Sequence, residues 1–332
     1  MSVVSERLSQ VVLGEQQVYE NLTLYPLLAE GPSQPEYRLL DEALELGCAR
    51  VTEVSDSGSV PELKFVNGCD RPVLLLDGEE LVGAKQNRIL NLTVLAPAGK
   101  TIEIPVSCVE AGRWRHESTE FRSAGRAHYA AGRARKAAQV SLAMRGQGVR
   151  RSDQSAVWED ISAKSARMEV RSETGAAAAM YETHRASLDD YRNAFCPVEG
   201  QTGAMFAVNG RIVGLDLFDS PATLSALLNK LVESYALDAL DEAGREAASV
   251  GADEPQSFLS ATSNADIESF PAVGEGEDLR LRGGRLSGGA LVKDDRVVHL
   301  CVFRVPGGGE TPDEHGRRLV RASMRRRARS RI

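Results

Sequence analysis

The chain has 332 residues, 42% of them hydrophobic and 26% charged, with a formal net charge of −7. That composition fits a folded globular protein and excludes a mainly disordered or collagen-like chain. No run approaches the roughly 20 apolar residues of a membrane helix, and Met1-Ser-Val-Val-Ser-Glu6 lacks the basic flank and apolar stretch of a secretion signal. A soluble, cytoplasmic protein with no membrane partner is expected. Cys48, Cys69, Cys108, Cys196 and Cys301 are far apart and odd in number. Neither a disulfide framework nor a Cys-x-x-Cys metal knuckle is therefore expected, and a reducing compartment fits.

The first half reads as strand-rich. Apolar runs at residues 11–13, 22–28 and 50–54 alternate with turn residues, and helical spacing occupies residues 37–46. Pro61, Asn67-Gly68 and Pro72 punctuate strands expected at residues 63–66 and 73–76. From residue 125 the chain turns to Ala, Arg, Gln, Glu and Met, with helical spacing at residues 134–144 and at 155–170, where Val157, Ile161 and Met168 recur. Farther on, apolar strands flank Asn209-Gly210, a pair suited to a two-residue hairpin turn in which both positions take positive φ. Ser220-Pro221 then caps and opens a helix with Leu224, Leu227, Leu228, Leu231, Val232 and Tyr235 on one face. Residues 251–289 are rich in Gly, Ser, Asp and Glu, and a last hairpin is expected from residues 290–292 and 297–303. These elements make an α+β chain with one domain over residues 4–305. It is strand-rich with antiparallel hairpins over 4–124, helical over 125–200 and a hairpin-helix-hairpin unit over 201–305.

Charge is unevenly spread. Residues 111–151 hold ten Lys/Arg against Glu117 and Glu120, and residues 317–331 hold eight arginines and no acid. Such blocks can neutralise the phosphates of nucleic acid, although a solvated helix face and a frayed tail are the simpler reading. The tail, residues 306–332, has no aromatic residues for base stacking and few apolar ones, Leu319, Val320 and Met324 among them. It is expected to be flexible and dispensable for folding.

Residues 74–114 carry the densest polar chemistry. If residues 86–96 and 102–112 form a hairpin around Pro97–Thr101, Val94 faces Ile104, Leu92 faces Val106 and Leu90 faces Cys108 on one apolar side. Continuing outward, Arg88 faces Glu110 and Gln86 faces Gly112. A charged pair at the end of a core face needs a partner or a ligand, so it is a candidate pocket floor, with a register-fixing salt bridge as the bland alternative. Glu80 or Glu110 is a candidate general base. Lys85, Arg88 and Arg113 are candidates to hold a phosphate or carboxylate. Cys108 points into the apolar face and its spacing to Arg113 is one residue short of the Cys-x5-Arg oxyanion loop, so it reads as core. His116 and His299 have no partners at metal spacing, and no metal ligands are assigned. Mg²⁺ would suit carboxylate and phosphate chemistry, but no motif for it is present and the cofactor is left open. No Gly-x-Ser-x-Gly elbow supports a Ser-His-Asp triad, and phosphate-binding Gly-rich loops are missing too.

At these residues the sequence resembles a known family. Leu76-Asp-Gly-Glu-Glu-Leu-Val-Gly-Ala-Lys-Gln-Asn-Arg88, Ile104-Pro-Val-Ser-Cys-Val-Glu-Ala-Gly-Arg-Trp114, Gln154-Ser-Ala-Val-Trp158, Gly214-Leu-Asp-Leu-Phe218, Ser234-Tyr-Ala236 and His299-Leu300 together resemble the ARG and rhodanese-phosphatase-superfamily-associated protein domain, over residues 4–305. The resemblance implies a role near nucleotide, ADP-ribose or phosphoester metabolism. It implies that the role is carried by Glu80, Lys85, Gln86, Arg88, Glu110, Arg113 and Trp114. It carries nothing over to the tail.

Three functions follow as expectations. The first is an enzyme acting on a phosphorylated small molecule, with Glu80 and Glu110 as acid or base and Lys85, Gln86, Arg88, Arg113 and Trp114 as ligand contacts. The second is a non-catalytic module binding such a ligand or a partner protein, and the third is an RNA-associated protein using the basic segments. The oligomeric state is open.

Overall fold

The computed structural model describes residues 2–55, 61–113, 118–244 and 248–305. Trp114, His116 and the arginine-rich tail lie outside the described residues. The chain is α+β, with its strands in three groups. Strands between residues 49 and 127 form a closed barrel in the order Thr101–Cys108, Glu62–Asn67, Ala49–Glu53, Phe121–Ala127, Glu79–Gly83, Arg88–Leu90. Its interior is filled by Val51, Leu63, Phe65, Leu81, Leu90 and Ile104, among others. Against it lies a small sheet in which Val73–Leu75 pairs antiparallel with Val94–Ala96 and parallel with Arg38–Leu39.

A nine-stranded antiparallel sheet forms the other half. It runs Val12–Leu13, Leu22–Leu28, Gln201–Val208, Arg211–Phe218, Arg296–Arg304, Leu286–Lys293, Glu277–Gly283, Asp266–Pro271, with Gln17–Tyr19 also paired to Leu22–Leu28. Strand periodicity sends alternate residues to opposite cores. Ala204, Phe206 and Val208 pack under the helices Ala130–Gln147 and Pro221–Asp241, while Met205 and Ala207 pack on the far face with Phe258 and Leu259 of the helix Glu254–Ser263.

The hairpin-helix expectation holds. Asn209 and Gly210 take φ of 46° and 72°, and Ser220 caps the helix that opens at Pro221, accepting from the Ala222 N–H. The last hairpin, Leu286–Lys293 with Arg296–Arg304, also forms, turning at Asp294-Asp295. Two expectations are corrected. Residues 86–96 are not one strand, because Arg88–Leu90 stays in the barrel while Val94–Ala96 leaves for the small sheet. Turn 97–100 is therefore a corner rather than a hairpin loop: Ile104 pairs with Leu63, and Leu90 pairs with Val106, two residues from the expected register. Arg88 then lies opposite Cys108 and not Glu110. The second concerns the cysteines: Cys48 and Cys69 form a disulfide, 4.9 Å apart at Cα, where the ends of Ala49–Glu53 and Glu62–Asn67 meet. The cysteine pattern thus no longer argues for a compartment. Among the described residues no helix is long and apolar enough to cross a membrane.

Candidate functional site

Five of the seven expected site residues meet at one end of the barrel in one hydrogen-bonded network. The turn between Glu79–Gly83 and Arg88–Leu90 places Ala84 at a φ of 43°, and its carbonyl accepts from Arg113 Nη1 at 2.9 Å. Arg113 Nε donates to Glu110 Oε2 at 2.8 Å, and Arg113 Nη2 to Asn87 Oδ1 at 3.0 Å. Glu110 is held from two further sides, by the Asn87 N–H and by Thr174 Oγ1. Glu80 accepts from Arg126 Nε at 2.6 Å and lies 3.5 Å from Asn87 Nδ2. Gln86 bridges the rest: its Nε2 donates to the Glu110 carbonyl, and its Oε1 accepts from Arg88 Nη1 and from the Cys108 thiol.

Nearly all of this is dry. Arg88 is fully buried, and Glu80, Gln86, Glu110 and Arg113 expose 6% or less. Burial alone would raise the Glu110 carboxyl, but Arg113, the Asn87 N–H and Thr174 outweigh it and hold it below the usual carboxylate range. Burial lowers the Arg88 guanidinium, opposed by Cys108 and Glu53, and pushes the Cys108 thiol up. The expected Arg88–Glu110 pair is thus replaced by Glu110–Arg113 and by Arg88 against Gln86 and Cys108. Lys85 sits in the same turn and, like Asn87, is buried, at 8% and 7% exposure. Cys108 is core, as expected.

The Leu76–Glu80 segment extends the polar system inward, each acid meeting a cation from a different element. Asp77 meets Arg133 at 3.1 Å and also Lys136, both from Ala130–Gln147. Glu79 meets Lys230 of Pro221–Asp241 at 2.5 Å, and Glu80 meets Arg126. Gly78, at φ 80°, is required here, since a Cβ would stand 2.9 Å from the Arg133 side chain. Arg133 continues to Asp216 at 2.6 Å, and Asp216 also receives the Tyr235 hydroxyl at 3.1 Å. Burial alone would raise Asp216, but Arg133 and His299 outweigh it and bring it to about 2. His299 Nε2 stands 3.3 Å from Asp216 Oδ1, while its Nδ1 is 2.7 Å from Thr93 Oγ1. His299 is therefore no isolated histidine. The ligand-capable atoms of Asp216, His299 and Cys301 lie within 4.8 Å of one another, all three buried.

Sheet register explains this second cluster. Asp216 pairs with Cys301, Cys301 with Gly289, and Gly289 with Arg280, so four strands put one row on the helix-facing side. Phe218, His299, Leu291 and Asp278 form the adjacent row. Gly289 leaves the space that the Arg280 guanidinium fills, 2.9 Å from where a Cβ would be. Beside the rows is a cavity of about 10 Å³ lined by Asp77, Thr93, Asp278, His299 and Cys301, among others. Asp216 inside an apolar strand and His299-x-Cys301 on another were the available sequence signals for this cluster. Without the pairing of the two strands, neither pointed to the other.

The basic block at residues 111–151 is largely absorbed by such pairs. Arg113, Arg126, Arg133 and Lys136 are in the clusters above, and Arg135, Arg145 and Arg151 bridge Asp160, Glu268 and Glu62. Arg133 and Lys136 are wholly internal, not part of a solvated helix face.

A family model described as ARPP-1, the ARG and Rhodanese-Phosphatase-superfamily-associated Protein domain, matches residues 10–303. The chain belongs to the ARPP-1 domain family. No curated protein and no solved structure matches it. The ARPP-1 match takes in both polar clusters and all three strand groups, and it stops short of the arginine-rich tail. Within the ARPP-1 domain the residues that carried the resemblance fall into both clusters. Asp77, Glu79 and Glu80 lie on one motif segment, and Asp216 and His299 on two others.

Proposed function

We propose that this ARPP-1 domain acts on a phosphorylated small molecule of the nucleotide or ADP-ribose class, bound at the barrel end around Arg88, Arg113 and Lys85. The observation that carries the reading is the single dry network joining Arg88, Arg113 and Arg126 to Glu80 and Glu110. Guanidinium groups fixed by neutral amides and carboxylates are preorganised to take an anion at little entropic cost, and low dielectric strengthens the contact. Gln86 orients Arg88, and Glu110 with Asn87 orients Arg113. Held unprotonated by three donors, Glu110 serves as a positioning residue. Glu80 is the remaining candidate acid or base, with Arg126 fixing its rotamer. Lys85 and Asn87, in the turn beside Arg113, are proposed as further ligand contacts, with Trp114.

One observation favours the non-catalytic reading: both carboxylates are already engaged by guanidinium groups, as in a binding site with no proton to move. Thermal-shift titration with ADP-ribose, ADP and inorganic phosphate, followed by product analysis, separates the two. A shift in the parent that Lys85→Met abolishes without lowering the unliganded Tm supports the site. Turnover lost in Glu80→Gln with the shift retained supports catalysis; a shift without turnover in the parent leaves a binding module. If none of the three ligands shifts the parent, or if Lys85→Met and Arg113→Lys bind as tightly as the parent, the reading falls.

A further inference from the structure

We infer that Asp216, His299 and Cys301 form a binding site for one thiophilic divalent cation of the zinc class, buried between the nine-stranded sheet and the helix Ala130–Gln147. This site is separate from the barrel-end network and does not depend on the function proposed for it.

The donor set is one carboxylate, one imidazole and one thiol, a combination that suits Zn²⁺ and is poor for Mg²⁺ or Ca²⁺. The backbone fixes the positions. Asp216 and Cys301 are direct partners across two hydrogen-bonded strands, and His299 is two residues along from Cys301 on the same face. Their ligand atoms all lie within 4.8 Å of one another. Zn–N near 2.0 Å and Zn–S near 2.3 Å place tetrahedral ligands roughly 3.3–3.8 Å apart. The 3.3 Å between His299 Nε2 and Asp216 Oδ1 already has that value. It is long for a charge-assisted hydrogen bond, which closes to about 2.7–2.9 Å.

The surroundings match what a metal-bound histidine and carboxylate need. Thr93 Oγ1 lies 2.7 Å from Nδ1, so a hydrogen bond at that nitrogen fixes the ring and leaves Nε2 to face the cation. Thr93 is itself fixed, since its Oγ1 accepts from the Asp77 N–H at 3.1 Å. Asp216 receives Arg133 on both oxygens and Tyr235 on Oδ2, so Oδ1, the oxygen facing His299, is the one with a second lone pair for a metal.

The fourth position has a place in the cavity of about 10 Å³ that His299 and Cys301 help to line, which is roughly the room for one water. Asp278 lines the same cavity, is 2% exposed, and its Oδ2 has no hydrogen-bond partner among the described residues. A buried carboxylate oxygen without a donor is costly, and a metal-bound water would supply the donor. Asp77, Asp216 and Asp278 balance Arg133, Lys136 and Arg280, so a divalent cation with a thiolate adds one net positive charge. Asp278, which lines the same cavity, can accept a hydrogen bond from a water at the fourth position.

The test uses the full-length chain. After incubation with Zn²⁺ and gel filtration, elemental analysis should find about one zinc per chain, and His299→Gln and Cys301→Ala should lose it. Replacing zinc by Co²⁺ should give a thiolate-to-cobalt charge-transfer band. Should Cys301→Ala fail to fold, the Cys108→Ala/Cys196→Ala double variant decides, because Cys301 is then the one thiol outside the Cys48–Cys69 disulfide. A band retained there supports the site. A parent that holds less than a tenth of an equivalent of zinc and shows no cobalt band overturns it, as does a band lost in the double variant or kept in Cys301→Ala.

Discussion

Replacing Lys230 by Met tests whether the Leu76–Glu80 segment is held by charge. Lys230 Nζ lies 2.5 Å from Glu79 and 2.7 Å from Asp41. Glu79 is 1% exposed, whereas the Asp41 side chain is 36% exposed and can be rehydrated. Removing the ammonium therefore strands one carboxylate, which has an escape by taking up a proton. Burial pushes the Glu79 carboxyl up, and Lys230 is the largest influence opposing it. Protonation at pH 7 from the unfolded value of 4.5 costs about 2.5 pH units at ~1.36 kcal/mol each, near 3.4 kcal/mol, which caps the loss. The Glu79 carboxyl already lies above its unfolded value in the parent, and Lys230→Met raises it further, so the added loss is absent below pH 4.5 and grows as pH rises. The loss relative to the parent should stay within about 3.4 kcal/mol at pH 7 and about 0.7 kcal/mol at pH 5. Urea unfolding followed by far-UV circular dichroism at pH 5, 6 and 7 measures it, provided the m-value is unchanged. Adding Glu79→Gln should recover much of the loss at pH 7. A loss under 1 kcal/mol at pH 7 with no dependence on pH would refute the charge-holding argument.

Glu110 has the opposite sign. Its carboxyl lies below its ordinary 4.5, so its contribution is present above that value and disappears as pH falls, and Glu110→Gln should flatten the acid limb of a stability–pH curve. Gly78→Ala, at φ 80° and against the Arg133 side chain, should cost about 1–3 kcal/mol by urea unfolding, whereas alanine at Gly99, where nothing lies within 4 Å, should cost only the backbone share of that. Thiol titration of the denatured, unreduced chain should count three free cysteines of the five, rising to five on reduction, and Cys196 should be the one that reacts in the native state. Finding five without reductant would show that Cys48 and Cys69 are not bonded.

Local chemistry was legible in the sequence and long-range pairing was not. Asn209-Gly210 and Ser220-Pro221 specify their own backbone, so the hairpin and the helix that follows could be read directly. The polar group at Glu80, Lys85–Arg88 and Glu110–Arg113 could be read as a cluster because 34 residues of chain bring it together through adjacent strands. Its internal pairing could not. An apolar alternation fits several partners, and Thr101–Cys108 divides itself between Glu62–Asn67 and Arg88–Leu90 to close the barrel. Likewise Asp266–Pro271 and Glu277–Gly283 lay in a stretch that read only as polar and glycine-rich, although Leu279 and Leu281 alternate there. Cys48 and Cys69 meet only because two strands pair beside them.

The sequence separations of the buried polar pairs bear on how the chain is made. Asp77 waits 56 residues for Arg133, Glu79 waits 151 for Lys230, and Thr93 waits 206 for His299. Synthesis runs from the N-terminus, so every barrel strand has left the ribosome before the cation for Glu79 has been translated. Until Lys230 arrives, the nascent barrel must leave Glu79 turned to water, whereas Glu80 finds Arg126 on a barrel strand. Completion is thus a late event: the last strand among the described residues, Arg296–Arg304, delivers His299 and closes over a surface that the first third of the chain laid down.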